Sequence, residues 1–157
     1  MPRIESHQIH RVRVDTSTEW IFLELRLDDG TTGLGEALLG GQEDLLAAAL
    51  TIASRSLQGE EVAKAAPPVE KLADDQATGL LEATVRSTID QCLWDLRAKV
   101  AGLPVCAMTG PVLRTEFQLY ANINRGTRDR SPAGFALRGA QAREDGFEAV
   151  KVALIGN

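Results

Sequence analysis

Apolar positions along this chain recur first at every second residue, then at every third or fourth, and finally in short runs separated by polar loops. Residues 4–14 are rich in Ile, Val, His and Arg and predict a first strand with imperfect alternation. Residues 20–27 alternate cleanly: Ile21, Leu23, Leu25 and Leu27 share one face, while Glu24 and Arg26 point the other way. Asp29 and Gly30 form the pair favoured in tight hairpins, and residues 32–37 follow as a third strand. The period then lengthens. Glu43 and Asp44 suit a helix N-terminus, with Leu45, Leu46, Ala49, Leu50, Ala53 and Leu57 along one side and Gly59 as the stop. Pro67-Pro68 can open a short helix carrying Val69 and Leu72. From about Leu80 a long helix is expected, with Val85, Ile89, Cys92, Leu93, Leu96 and Val100 as its stripe. Arg86 with Asp90, and Asp95 with Lys99, place opposite charges four residues apart on its flanks. Gly102 can take the left-handed conformation that closes a helix, and Pro104 blocks its continuation. Trp94 lies off the stripe, which implies a second packing surface.

After Pro104 the pattern changes. Residues 117–123 are strand-like, and residues 124–131 form a polar loop with Arg125, Arg128 and Arg130. Pro132 fits the first turn of a helix with Phe135, Leu137 and Ala140 as apolar positions, and Gly146 ends it. Residues 147–155 are a second, mostly apolar strand. Strand, helix, strand is one βαβ unit with a parallel pair. Strands first and helices afterwards make the preceding part α+β, an antiparallel three-stranded meander covered by helices.

Composition narrows the function classes. The 157 residues carry 17 basic and 22 acidic side chains, 17 − 22 = −5, which argues against a large nucleic-acid surface. No apolar run is long enough for a membrane span, and Arg3, Glu5 and His7 break up the start, so neither a membrane partner nor a signal peptide is expected. Two cysteines, Cys92 and Cys106, fit a reducing cytoplasm, with Cys92 on the apolar stripe as a core residue.

Residues 89–104 carry a more specific signal. Ile89-Asp90, Leu93-Trp94-Asp95-Leu96, Lys99, Gly102 and Pro104 stand in one ordered pattern. The run resembles the segment joining the two domains of enolase-superfamily proteins of the mandelate racemase and muconate lactonizing type. The resemblance implies an α+β capping domain over residues 1–110 and the start of a (β/α) barrel over residues 111–157. A complete barrel takes roughly 250 residues, so the chain is expected to be the first part of a longer protein. Parallel strands are normally buried on both faces. The barrel tail is therefore expected to leave edges and apolar surface uncovered, and a homo-oligomer is expected.

Several local signals have plain structural readings. Gly33-Leu34-Gly35 lacks the third glycine of a dinucleotide loop, where Leu38 stands, so its glycines are read as letting the third strand bend. By the resemblance, Glu36 after these glycines is an orienting or folding residue. His7 and His10 would face opposite sides of a strand. Asp90 and Asp95, five apart on a helix, do not converge; they are expected to cap, pair or bridge.

The resemblance also implies a site. Residues 15–20, between the first two strands, match a loop that closes on substrate, and residues 38–41 match a second such element. Thr18, Trp20 and Leu39 are the substrate-binding candidates there, with packing against the helices as the alternative for Trp20. In barrels the chemistry sits at the C-terminal ends of the strands. Asn122 and Asn124 end the first strand and are further substrate-binding candidates. Lys151 lies in the second strand and is the catalytic candidate. The family's usual Lys-x-Lys reads Lys151-Val152-Ala153, so the second lysine, the usual base, is absent. The resemblance thus implies a magnesium-dependent enzyme acting on a small carboxylate or acid sugar. Dehydration is favoured because that lysine is missing. A racemase or cycloisomerase, or a non-catalytic capping fragment, are the alternatives. The metal-binding carboxylates belong to later strands, so no metal ligand is assigned to this chain, and by itself it is expected to bind no magnesium and to be inactive.

Overall fold

The computed structural model describes residues 1–14, 16, 18–67, 79–124 and 126–153. The chain divides into two compact units, Met1–Pro111 and Val112–Asn157.

The first unit opens with three strands, β1 (Ile4–Arg13), β2 (Glu19–Leu27) and β3 (Thr32–Ala37), in an antiparallel sheet of order β1-β2-β3. The expected hairpin lies between β2 and β3. Gly30 takes a φ of 87° there, and Leu27 donates its N–H to the Thr31 carbonyl at 2.8 Å. Two helices cover one face of the sheet, α1 (Glu43–Arg55) and α2 (Leu80–Ala101), and a short α3 (Val105–Met108) follows. Ile21, Leu23, Leu25 and Leu27 point into the core with Leu46 and Leu50 of α1 and Ile89, Cys92, Leu93 and Leu96 of α2. Each such aliphatic side chain contributes about 1.5–3 kcal/mol when fully buried. Cys92 donates its Sγ–H to the Leu23 carbonyl at 3.2 Å. Burial, reinforced by the Asp95 charge, pushes its thiol up to about 12, so it is inert core.

The contact between α2 and β3 is unusually close. A Cβ on Gly35 would lie 2.2 Å from the Thr88 carbonyl oxygen, and one on Gly33 would lie 2.6 Å from that of Cys92. The two glycines therefore admit the helix backbone onto the strand; the bend expected from the sequence is not their main role. Helix side chains also complete the outer edge of β3. Asp95 accepts from Leu34 N–H at 3.0 Å and Gln91 accepts from Glu36 N–H at 3.1 Å. Lys99 donates to the Thr32 carbonyl at 2.7 Å, and also reaches Asp95 at 2.8 Å. These residues are four apart on one helix line and satisfy backbone groups that an edge strand would leave open.

The C-terminus of α2 follows expectation. Gly102 has φ 67°, and Gly102 and Leu103 donate to the Lys99 and Ala98 carbonyls at 3.0 and 2.9 Å. Two apolar expectations fail in this unit. Val100 is exposed, because Lys99 already reaches the first residue of β3 and the next position lies past the sheet. Leu45 is exposed, because Leu46 and Leu50 carry the buried face of α1. Trp94 is half-buried. The helix expected after Pro67 lies outside the described residues.

The second unit is β4 (Tyr120–Asn122), α4 (Pro132–Glu144) and β5 (Ala149–Lys151), with β4 and β5 parallel. Ser131 caps α4, its Oγ accepting from Gly134 N–H at 3.1 Å, and Pro132 takes the first position. Both strands are shorter than the sequence pattern suggests. Phe117 and Leu119 are exposed ahead of β4, and Leu154 and Ile155 lie outside the described residues. The buried positions of α4 are Gly134 and Ala142, whereas Leu137 and Ala140 are exposed. Gly134 passes so close to the Asp129 carbonyl, 2.0 Å from an added Cβ, that this contact rather than the apolar period sets the helix face. No described helix is long and apolar enough to cross a membrane.

The glycine contact yields a test. Gly35→Ala should destabilise the chain by about 3 kcal/mol, because its neighbour is backbone and cannot turn away. Gly40→Ala, where nothing lies within 4 Å, should stay within about 0.5 kcal/mol of the native chain. Denaturant midpoints compare the two, and equal effects would refute the close-approach account.

Candidate functional site

Asn122, Asn124 and Lys151 come together at the C-terminal ends of the parallel pair, where Asn122 lies opposite Lys151 in the ladder. Asn122 Oδ1 accepts from the Asn124 side-chain amide at 2.9 Å and from its backbone N–H at 3.3 Å. Asn124 Oδ1 in turn accepts from Ala153 N–H, and Ile123 N–H donates to the Lys151 carbonyl at 3.2 Å. The two strand ends are thus sewn together by side-chain amides rather than by further ladder. Arg130 adds a clamp that the sequence reading placed only in a polar loop. Its guanidinium donates to the carbonyls of Asn124 and Ala153, at 3.2 and 3.3 Å, and lies over the Phe135 ring at 5.3 Å. Lys151 is exposed on β5, with its stem beginning beside this amide cluster. Arg125 lies outside the described residues. A wider hollow of about 490 Å³ lies between the C-terminal part of α4 and the start of β5, lined by Phe147, Ala149 and Val150 among others. Its position and apolar wall fit the open flank of a two-stranded sheet better than a reaction site.

In the first unit a cleft of about 200 Å³ is lined by Arg13, Thr16, Thr18, Glu19, Gly41 and Glu43. Both loops singled out in the sequence therefore border one hollow, with Thr18 in its wall. The structure places the other two candidates differently. Trp20 stands opposite Val12 on the sheet face away from the helices, 43% exposed, so the alternative of packing against the helices does not hold. Leu39 is only 7% exposed and belongs to the core, where it anchors its loop. Asp15 and Ser17 lie outside the described residues.

Charge organises the cleft. Glu43 accepts from Gly41 N–H at 2.9 Å. That bond first, and one from its own N–H second, holds the Glu43 carboxyl below the usual range. Arg11 donates to Glu19 at 2.6 Å and to Asp44 at 2.7 Å, while Arg13 lies 3.6 Å from Glu19. No local spacing could have shown the Arg11–Asp44 pair, since its members stand 33 residues apart.

The remaining candidates take structural roles. The Glu36 side chain is exposed, while its backbone is held by Gln91 and by Thr88, whose Oγ donates to the Glu36 carbonyl at 3.3 Å. His7 and His10 occupy opposite sheet faces, opposite Leu25 and Phe22 respectively, and His10 lies 3.3 Å from Glu24. Asp95 pairs with Lys99 and the β3 edge, and it does not converge with Asp90. Among the described residues, no three His, Cys, Asp or Glu side chains are grouped to hold a metal ion.

A glycine-seated helix on an antiparallel meander is the arrangement of an enolase-type capping domain, and a βαβ unit with polar strand ends follows it in the sequence. Residues 2–110 match the family described as "Mandelate racemase / muconate lactonizing enzyme, N-terminal domain", and the chain belongs to that family. It is similar to the D-galactonate dehydratase of Ralstonia pickettii (strain 12J), 30% identical over 104 residues, which are 65% of this chain and 27% of that protein. Among solved structures it is similar to an enolase from Agrobacterium radiobacter with bound Na and L-malate, at 27% identity and a TM-score of 0.76, covering 96% of this chain and 38% of that one. A mandelate racemase/muconate lactonizing enzyme from a Sulfitobacter species shares the fold at 18% identity and a TM-score of 0.83, covering 99% and 43%. The chain thus spans between about a quarter and a third of the length of the curated relatives it matches, 27% and 34% in two cases.

The Glu43 bond has a pH signature. With its folded value lowered, its contribution is fully present above the usual glutamate value of 4.5 and is lost as pH falls through the folded value. Glu43→Gln should therefore lower the unfolding midpoint at neutral pH and make little difference at an acid pH below the folded value. A midpoint difference that persists unchanged at both pH values would contradict this assignment.

Proposed function

We propose that this chain is the capping domain and first barrel segment of an acid-sugar dehydratase, an enzyme that removes the proton next to a carboxylate and eliminates water. The observation that carries this reading is Lys151 at the end of β5, beside Asn122 and Asn124, in a chain whose relatives include D-galactonate dehydratases. An ammonium at a strand end can hold the substrate carboxylate and the charge that spreads onto it as the α-proton leaves. Ala153 cannot accept a proton, so the base is another residue and Lys151 acts through its charge. Asn122 and Asn124 offer amides at the same strand end to orient hydroxyl or carboxylate oxygens. Thr18, in the cleft of the capping unit, is proposed to contribute to substrate selection, since loops of this kind exclude water when they close.

Magnesium, which the family relationship implies, does not fit the donor set of the described residues. A hard cation needs several oxygen ligands in one place, and no such group is present among them. This chain's part in the reaction is therefore binding, orientation and charge.

The test uses the complete enzyme, magnesium and D-galactonate in deuterium oxide, followed by NMR. Release of a 3-deoxy-2-keto acid is expected. Deuterated, epimerised sugar acid without loss of water would instead indicate a racemase. Lys151→Met keeps the stem and removes the charge, and should lower the turnover rate about 100-fold while leaving the unfolding midpoint nearly unchanged. Full activity in that variant would reduce Lys151 to an exposed strand residue.

A further inference from the structure

We propose that Arg130 is a positioning residue: it locks the end of β5 to the residues that follow β4, and so fixes where the Lys151 ammonium stands. The inference rests on the reading of Lys151 as the group that meets the substrate carboxylate.

The regular ladder between β4 and β5 ends at the pair Asn122 and Lys151. One step beyond it, Ile123 N–H still reaches the Lys151 carbonyl at 3.2 Å. From there side chains take over. Ala153 is held by both of its backbone groups: its N–H donates to Asn124 Oδ1, and its carbonyl accepts from Arg130 at 3.3 Å. The other arm of the same guanidinium donates to the Asn124 carbonyl at 3.2 Å. Asn124 is therefore gripped through its side chain and its backbone, and Arg130 closes a ring of bonds with Asn124 and Ala153. Lys151 lies two residues before Ala153. With its own carbonyl bonded to Ile123, the backbone that carries the ammonium is pinned on both sides of a short span.

Arg130 is itself placed by the start of α4. Asp129 Oδ1 accepts from Ser131 N–H at 2.9 Å, and the Asp129 carbonyl lies against Gly134. The residues on either side of Arg130 are thus fixed by the helix cap. Its guanidinium lies over the ring of Phe135, in the first turn of the same helix, at 5.3 Å. A planar fork can bond two carbonyls at once while resting on a ring, whereas an ammonium is a point charge on a flexible stem. Both acceptors are neutral backbone carbonyls, so what the site takes from Arg130 is the shape of the fork and not the cancellation of a charge.

The test measures turnover of D-galactonate with magnesium by the complete enzyme, together with its unfolding midpoint and amide exchange. Arg130→Gln should lower kcat about tenfold, with KM within about twofold and the midpoint nearly unchanged. Exchange at Ala153 should quicken roughly fivefold in that variant. Arg130→Lys keeps the charge and loses the fork, and should be as slow as Arg130→Gln. Arg128→Gln removes the same charge from the same loop and should keep the native kcat. In Lys151→Met, adding Arg130→Gln should lower turnover no further, because the group that Arg130 places is already gone. Native kcat in Arg130→Gln overturns the proposal. So does recovery in Arg130→Lys, which would make Arg130 a source of charge, and so do effects that multiply in the double variant. Should Arg130→Gln lower the midpoint, Phe135→Leu decides, since it removes only the ring beneath the guanidinium: a loss of kcat of about threefold supports the proposal and native kcat overturns it. Native kcat in Lys151→Met removes the underlying reading and the proposal with it, whereas an impaired Lys151→Met beside a fully active Arg130→Gln removes the proposal alone.

Discussion

The capping unit depends on how near one helix can come to one strand. With glycine at positions 33 and 35, the backbone of α2 lies against β3 at a distance that any side chain would prevent. That approach places Gln91, Asp95 and Lys99 within reach of the strand's backbone groups. It also lets Cys92, Leu93 and Leu96 fill the space above β2. Polar and apolar parts of the helix therefore work from the same geometry. Were the helix held an ångström or so farther out, the edge bonds would lengthen beyond use and the core would gain voids, each of which costs stability.

The order of residues 89–104 makes sense in that light. Leu93 and Leu96 face the sheet, Asp95 serves the strand edge, Lys99 neutralises Asp95 while bonding Thr32, and Gly102 ends the helix once it has passed β3. These roles are set by short-range spacing, so they were largely legible in the sequence. The alternation of Ile21 to Leu27 was legible for the same reason. What could not be read were contacts joining distant positions. The tie between Arg11 and Asp44 has no local pattern, and neither does the Arg130 clamp on Asn124 and Ala153. The pattern of apolar residues also promised more burial than occurs at Leu45, Val100 and Leu137. A period says which side a residue faces; how far the neighbouring element extends decides whether that side is covered.

The two units use polar groups in different ways. In the capping unit, charges form an extended arrangement of Arg11, Arg13, Glu19, Glu43 and Asp44 around a small cleft. In the βαβ unit, side-chain amides and the Arg130 guanidinium do the joining, and Lys151 stands as a further cation at the strand end. Amide and guanidinium partners leave the lysine's charge uncancelled, whereas a neighbouring carboxylate would partly cancel it.

The edge bonds on β3 also set the width of the sheet. A strand arriving beside β3 would meet Asp95, Gln91 and Lys99 where it needs free backbone partners. On the far side, Ile4 of β1 exchanges backbone bonds with Glu60 and Gly59, at 3.0 and 2.8 Å, so that flank is partly occupied as well. The described meander is therefore closed by construction at its β3 edge. For anyone grafting or swapping this module, the β3 side of its sheet behaves as a finished border and not as a template for growth, and a new strand would have to come from the β1 side.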